Sequence, residues 1–219
     1  MNLLFWSSLI GFIWISCVIA LVLLAQPRSR INQSYAVALG CLALWIFVDL
    51  LPFFSIFFRV GMMNFWIKLG LSGAMVFPAC MMVFYGEFAQ ASWMRRTYPV
   101  FIAASALFLV LLWVTDWIIQ SADPMTGQFV VGHGFHWFFA ILIIAWLLGH
   151  GGLYLQLKQL VGLRKVQVKY ALLAGVITVC AIAIYFPAVW GFNVPRIDNL
   201  IHVIYISIIS YAITRHRLL

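Results

Sequence analysis

Polar and ionisable side chains inside long apolar runs are the residues of this sequence that could do chemistry. Asp49 lies far into the second apolar run, and Asn199 and His202 lie at the start of the last one. His133 and His136 stand where a connection leads into another run. Because polar groups are costly in lipid, each is a candidate functional group. Imidazoles beside carboxylates also suit zinc, but no HxxxH pair lies on one helix, so no metal site is predicted.

The composition places the chain in a membrane. Of the 219 residues, 66% are hydrophobic and only 8% are charged, a balance typical of integral membrane proteins. A bilayer core takes about 20 residues per helix, which leaves room for roughly seven spans. The run from Leu3 lacks a basic start and is too long for a cleaved signal, so it is predicted to be a retained span. The four cysteines lie in apolar runs without a CxxC motif and are interpreted as packing residues.

Continuous apolar runs predict an all-α integral membrane protein, a single seven-transmembrane helix bundle covering residues 1–219. The alternating strands of a membrane barrel are not seen in the sequence. The connection between the fourth and fifth runs contains Asp-Pro and several glycines, which predict a short hairpin or cap. The spans are predicted at about 3–24, 34–58, 69–89, 100–119, 137–155, 170–190 and 199–213.

Lysine and arginine residues alternate between successive connections. Ten of the 13 lie in the tail or in the connections that follow odd-numbered spans, and the other three are Arg59, Lys68 and Arg196. The positive-inside rule therefore predicts an N-terminus outside and a C-terminus in the cytoplasm. The net charge of +8 is interpreted as topology and lipid head-group contact, not as nucleic-acid binding.

This orientation gathers the candidate polar residues in the outer half of the membrane. Asp49 is 15 residues into its span, about 22 Å from the inner end at a rise of 1.5 Å per residue. Two alternatives stay open: Asp49 could neutralise an outer cation, and Asp198 or Asn199 could cap the seventh helix. The residues predicted to converge on an outward-facing ligand pocket are Asp49, Asp116, His133, His136, Asn199 and His202.

Glu87 and His150 are predicted to couple helices near the cytoplasmic side. Glu87 could pair with Arg95 or with Arg215, which would tie the third span to the end of the seventh. The alternative is a solvated carboxylate at the interface. His150 is flanked by glycines that permit close helix approach. The favoured interpretation of His150 is a packed, hydrogen-bonded group, with a proton relay as the alternative.

Familiar catalytic motifs are missing from the sequence. No HExxH, GxSxG, P-loop or GxGxxG motif stands in a suitable context. The seventh span has no lysine that could carry a retinal Schiff base. The chain is therefore predicted to contain no catalytic machinery and to need no cofactor.

The last third of the chain carries a distinctive pattern. Over about residues 150–219 it resembles the N-terminal seven-transmembrane sensor region of bacterial and archaeal histidine kinases. Earlier in the chain, only Pro78 followed by Phe84 is similar to that family. The residues that carry the resemblance are Gly162-Leu-Arg-Lys-Val-Gln-Val-Lys-Tyr170, Phe186-Pro187, Gly191, Pro195, Asn199 and Tyr211-Ala-Ile-Thr-Arg-His-Arg-Leu218. The chain departs from the family at Tyr185, where relatives often have Asn, and at Asp198, where a small residue is common.

The resemblance implies a signal-input module that relays a stimulus through its seventh helix. A cytoplasmic kinase or other output domain is then expected after Leu219, with Arg215 and Arg217 as the signal exit. The other expected partners are the lipid bilayer of a prokaryotic plasma membrane and a small-molecule ligand, and a homodimer is left open. The competing function is a small proton-coupled transporter or channel, whose pathway would include Asp49, Glu87, His150 and His202.

Overall fold

Seven helices and one short hairpin make up the part of the chain described by the computed structural model, residues 3–50, 63–122, 129–189 and 197–215. Six of these helices are long and apolar enough to cross a membrane, and the seventh is a shorter apolar helix. The predicted all-α bundle of seven helices is therefore confirmed. The elements are α1 (Leu3–Ala25), α2 (Arg30–Leu50), α3 (Met63–Ala89), α4 (Ser92–Val114), β1 (Ile119–Ala122), β2 (Phe129–Val131), α5 (His133–Leu157), α6 (Gly162–Val189) and α7 (Asp198–Arg215).

Hydrogen bonds near helix ends show that successive helices cross the bundle in alternate directions. Asn32 at the start of α2 donates its side-chain amide to the carbonyl oxygen of Val22 near the end of α1, at 2.8 Å. Gln167 near the start of α6 likewise donates to the carbonyl oxygen of Ala212 near the end of α7, at 3.0 Å. Even-numbered helices therefore begin at the end of the bundle where odd-numbered helices finish.

The two ends of the bundle are named here the basic side and the hairpin side. The hairpin side contains β1 and β2, together with Lys68 in α3. The basic side contains the turns 26–29, 90–91 and 158–161. Its cations in the described ranges are Arg28, Arg30, Arg95, Arg96, Lys158, Arg164, Lys165 and Lys169, and Arg215 is the last residue of α7. Arg59, Arg196 and Arg217 fall outside the described residues.

Five helices begin several residues earlier than hydropathy predicts, and three of them, α3, α4 and α6, differ most. α3 begins at Met63 and not near 69, α4 at Ser92 and not near 100, and α6 at Gly162 and not near 170. In α4 and α6 the added turns carry the cations that the sequence analysis assigned to connections. Long cationic side chains can extend from a helix end into the head-group layer, so they do not prevent helix formation there.

The fourth helix also ends earlier, which corrects the prediction that it continues to 119. The hydroxyl of Thr115 donates to the carbonyl oxygen of Leu111 at 2.7 Å, and the backbone of Thr115 is extended. The chain then enters an antiparallel hairpin in which Ile119 lies opposite Val131. The hairpin predicted in this connection is present. The last part of the predicted second span, 51–58, falls outside the described residues.

Helix packing is tight between α2 and α3 and looser between α5 and α6. A Cβ atom added to Gly73 of α3 would lie 2.4 Å from the carbonyl oxygen of Cys41, so only glycine permits this approach. Between membrane helices such small residues allow the backbone contacts that hold the bundle together. α6 packs mainly on α7 and less on α5. The seam between α5 and α6 is therefore looser than the contact between α6 and α7.

Candidate functional site

At the hairpin side, α7 is held by a junction of three polar side chains. Asn199 is buried and donates its amide to the hydroxyl of Ser8 in α1 at 2.9 Å and to the carboxylate of Asp49 in α2 at 3.2 Å. The backbone of Asn199 also lies against Gly11 of α1. A Cβ atom added to Gly11 would lie 3.4 Å from the carbonyl oxygen of Asn199. Two of the predicted ligand residues, Asp49 and Asn199, are therefore in direct contact.

Near the middle of the bundle, Tyr35 of α2 holds α7 a second time. Its hydroxyl donates to the carbonyl oxygen of Ile206 at 3.2 Å and lies 3.2 Å from the hydroxyl of Ser210. The ring of Tyr35 packs against Phe84 of α3, with ring centroids 4.9 Å apart. Because Tyr35 is buried, this contact joins three helices inside the core.

Tyr85 of α3 and His150 of α5 form the next polar contact of the core. The carbonyl oxygen of Trp146, 2.9 Å from Nδ1 of His150, can only accept a hydrogen bond. Nδ1 therefore carries the proton, and Nε2 accepts from the hydroxyl of Tyr85 at 3.2 Å. His150 also stacks on Trp146, with centroids 4.5 Å apart. This is the packed, hydrogen-bonded histidine that the sequence analysis favoured.

Two glycines allow these rings to lie so close to neighbouring helices. An added Cβ at Gly149 of α5 would lie 2.4 Å from the ring of Tyr85. One at Gly175 of α6 would lie 2.0 Å from Nε2 of His150. The Tyr85–His150 pair therefore fills the space between α3, α5 and α6.

At the basic side, α7 is held by α6. The buried side chain of Gln167 donates to the backbone of Ala212, as described above. One turn away, the rings of Tyr170 and Tyr211 meet edge to face with centroids 5.8 Å apart. α6 therefore contacts α7 within its last two turns, next to the predicted signal exit.

A cavity of about 70 Å³ lies where α2, α3, α5, α6 and α7 meet. Pro78, inside α3, lies on its wall, where a proline cannot donate a hydrogen bond to the preceding turn. Nε1 of Trp146 is buried and finds no hydrogen-bond partner within the described residues. The other side chains lining the cavity are Leu42, Trp45, Phe77, Met81, Tyr85, Leu142, Ala145, Thr178, Ala181, Ile182, His202 and Tyr205.

The comparisons with known proteins decide the family. The family model described as the N-terminal 7TM region of histidine kinase matches residues 7–219. The chain belongs to this family. No curated protein and no solved structure matched the chain. The match extends well beyond the residues near 150–219 on which the sequence resemblance mainly rests.

Membership of the histidine-kinase 7TM family makes the chain the sensor region of a multi-pass membrane protein. It also implies a cytoplasmic kinase domain downstream and a bilayer around the helices. The polar contacts of α7 therefore belong to the seventh helix of the sensor region.

The other predicted ligand residues of this sensor region lie in different environments. His202 lines the cavity, one turn of α7 beyond Asn199. Asp116 lines a separate surface pocket beside the hairpin, together with Lys68 and Gln120. His133 and His136 are exposed in the first turn of α5. Within the described ranges, no group of three or more His, Cys, Asp or Glu residues is arranged to hold a metal.

On the basic side, the predicted coupling residue Glu87 pairs with a nearby cation. Its carboxylate lies 3.0 Å from the guanidinium of Arg95, across the turn between α3 and α4. The Arg95 side chain is 49% exposed, so the pair is an interfacial one. Arg164 of α6 donates to the side chain of Gln90 in the same turn. Of the two partners expected for Glu87, Arg95 is therefore observed, and the side chain of Arg215 falls outside the described residues.

Sequence reasoning missed the aromatic half of this site. Tyr35, Tyr85 and Trp146 were absorbed into apolar runs, because their rings are as hydrophobic as their neighbours. Each also carries one polar group that must find a partner when it is buried. A tyrosine or tryptophan in mid-span, next to a histidine or serine on another span, is the signal that could have identified them.

Proposed function

We propose that this sensor region receives a stimulus in its outer half or within the bilayer and relays it through α7 to a cytoplasmic kinase or other output domain. The cations of the basic side support a cytoplasmic location for that side, with the N-terminus outside. The membrane is then the plasma membrane of a prokaryote. The stimulus acts by favouring one of two packings of the bundle, because only differential affinity shifts such a population.

The observation that carries this proposal is the set of polar contacts along α7. Asn199 is bonded to α1 and α2, Ile206 to α2, and Ala212 to α6. Between the first two contacts, His202 and Tyr205 line a cavity. A helix that is fixed at discrete points and borders a cavity between them has room for a second defined position, which is what a relay requires.

The proposed roles follow from these positions. Asp49, Asn199 and His202 are proposed to sense the ligand, because their side chains lie on the hairpin side of α2 and α7. His133 and His136 are proposed to contact ligand as it approaches from outside. The proposed inner coupling and signal exit use Glu87, His150, Arg215 and Arg217.

A homodimer is the proposed functional unit, because two signal exits side by side could turn or shift two output helices together. Exposed apolar residues along α1 and α4 offer faces for this contact or for lipid. Crosslinking in the membrane would separate the two uses of these faces.

Fusion of the chain to a histidine-kinase core tests the relay. Insertions of one to seven residues are placed after Leu219. If the helix continues, each added residue rotates the core by about 100°. We expect kinase activity to vary with the number of inserted residues and to return near the starting level after about seven, which is close to two turns.

A flexible Gly-Ser insertion of equal length is the matched control, since it breaks the helical connection. It should fix activity at one level whatever its length. Helical insertions that leave activity unchanged across the series would contradict the relay through α7.

A further inference from the structure

The cavity between α2, α3, α5, α6 and α7 has the features of a ligand site. We propose that it binds an uncharged lipophilic molecule that presents one hydrogen-bond acceptor oxygen to Nε1 of Trp146. This proposal rests on the proposed sensor function and names the class of molecule that the sensor would detect.

The side chains that line the cavity indicate that its ligand is uncharged. None of its lining residues within the described part of the chain is Lys, Arg, Asp or Glu. A charged ligand would lose its hydration there without an opposite charge to replace it. Aliphatic and aromatic side chains, such as those of Leu42, Phe77 and Met81, supply most of the surface, which suits alkyl groups. The ligand is therefore neutral and largely apolar.

The polar edge of the cavity decides where the acceptor of the ligand lies. The indole N–H of Trp146 is a donor only, and it finds no acceptor within the described residues. A buried donor without a partner costs free energy that a ligand oxygen would restore. The hydroxyl of Thr178 already donates to the carbonyl oxygen of Ala174 at 3.0 Å, so Thr178 can only accept from a ligand. A carbonyl oxygen, which only accepts, matches the donor of Trp146 and adds no donor of its own.

The size of the cavity limits the part of the ligand that enters. Its volume of about 70 Å³ is roughly half of the 150 Å³ known to hold benzene in an engineered cavity. A short alkyl ketone or the end of a longer lipophilic chain would fit. The looser packing of α6 against α5 provides a seam for such a chain.

Occupation of this cavity would act directly on the seventh helix. His202 and Tyr205 of α7 lie on one wall, and Trp146 of α5 and Tyr85 of α3 lie on others. A bound molecule therefore contacts α7 between its junction at Asn199 and its contact with Tyr35. It also contacts the indole ring that stacks on His150.

Photolabelling in lipid nanodiscs tests the proposal. The probe is a short-chain alkan-2-one with a diazirine at its far end, and the control probe is the matching alkane without the carbonyl group. We expect the ketone to label residues on α5, α6 and α7 around the cavity, in competition with unlabelled alkan-2-one. Trp146→Phe keeps an aromatic ring and removes the donor. It should raise the half-saturating ketone concentration about fivefold to tenfold and leave that of the alkane unchanged.

Filling the cavity provides the second arm. Ala181→Phe on the cavity wall should reduce ketone labelling about tenfold, since the added ring occupies the same volume. Val176→Phe is the matched control, because Val176 lies on the same helix and is 65% exposed. Ala145→Leu fills the space from the opposite helix and serves if Ala181→Phe does not fold, as judged by circular dichroism and gel filtration.

Label spread over lipid-facing residues, insensitive to both filling variants, would overturn the proposal. So would a cavity that gives no label because it holds only water, or a Trp146→Phe variant that binds the ketone normally. Labelling is measured on this chain alone, without an output domain. If the ketone labels the cavity specifically but kinase activity of the fusion does not vary with helical insertions, only the relay is rejected. If kinase activity varies with the insertions but the cavity is not labelled, only the cavity ligand is rejected.

Discussion

Asn199 shows how one side chain can join three membrane helices. Its amide reaches Ser8 and Asp49, and its neighbour Asp198 is the first residue of α7. Between membrane helices there is little hydrophobic drive for association, so such hydrogen bonds and close packing set the arrangement. The carboxylate of Asp49 is thereby bonded to an amide inside the bundle, whatever other contacts it makes. The sequence alone identified both residues as costly in lipid, but could not show that they meet.

Replacement of this amide should weaken the attachment of α7. We expect Asn199→Ala to lower the free energy of unfolding by about 1 kcal/mol, the order measured for hydrogen bonds between membrane helices. Unfolding by sodium dodecyl sulfate in bicelles measures the change. Asn64→Ala is the matched control, since Asn64 is exposed at the start of α3. Equal stability of the two variants would show that the junction contributes nothing to the fold.

At the scale of the helix, the two glycines at 149 and 151 provide a sharp contrast. An added Cβ at Gly149 would collide with the ring of Tyr85, whereas one at Gly151 would meet nothing within 4 Å. We expect Gly149→Ala to destabilise the fold by about 1–3 kcal/mol through overpacking. Gly151→Ala should be neutral or slightly stabilising, because alanine is the better helix former. Thermal unfolding in detergent compares them, and equal losses would contradict the packing of α5 on α3.

The contact of α2 with α3 offers a chemical test. The sulfur atoms of Cys41 and Cys80 lie 4.0 Å apart on these facing helices. Oxidation with copper phenanthroline should therefore join them, removing two hydrogen atoms and two maleimide-reactive thiols. Intact-mass spectrometry counts the thiols that remain.

The variant Cys80→Ala is the control for this oxidation. It should keep Cys41 reactive, as should the exposed thiols of Cys17 and Cys180 at low protein concentration. Four reactive thiols after oxidation of the unsubstituted chain would contradict the close approach of α2 and α3.

These elements also show how far the sequence could predict the structure. Hydropathy found every helix, because burial in lipid requires long apolar runs whatever their neighbours. It missed helix starts such as those of α4 and α6, because cations near a helix end stay solvated and do not interrupt the backbone bonds. Hydropathy also predicted that α4 continues beyond Thr115. The helix ends there, where the hydroxyl of Thr115 donates to the carbonyl oxygen of Leu111, and average hydropathy does not detect such a local hydrogen bond.

The candidate site was predicted less well than the fold, for a different physical reason. Asp49, Asn199 and His150 could be recognised as unusual in lipid. Their partners depend on which helices are neighbours, and apolar runs carry little information about that. Tyr85 became significant only once α3 and α5 were known to pack with a glycine between them. Of the residues expected to gather in one outward-facing pocket, Asp116 lines a pocket beside the hairpin, whereas His202 lines the cavity between the helices.

At the scale of the whole molecule, α1, α2 and α3 pack closely in sequence, and α6 packs closely on α7, which also lies against α1. Contacts between α5 and α6 are fewer. The cavity lies where α2, α3 and α5 meet the α6–α7 pair. A signal that changes this boundary would move α6 and α7 together, because Gln167 and Tyr170 hold the end of α7. The direction of that signal depends on which side of the membrane receives the basic end.

Labelling with a membrane-impermeant maleimide in intact cells tests this orientation. His133→Cys, on the exposed first turn of α5, should be labelled from outside. Lys158→Cys, exposed at the opposite end of the same helix, and Arg217→Cys should react only after the cells are permeabilised. The unsubstituted chain controls for the native cysteines, which lie within apolar helices. Labelling of Lys158→Cys in intact cells would reverse the orientation, and the seventh helix could then no longer lead to a cytoplasmic kinase.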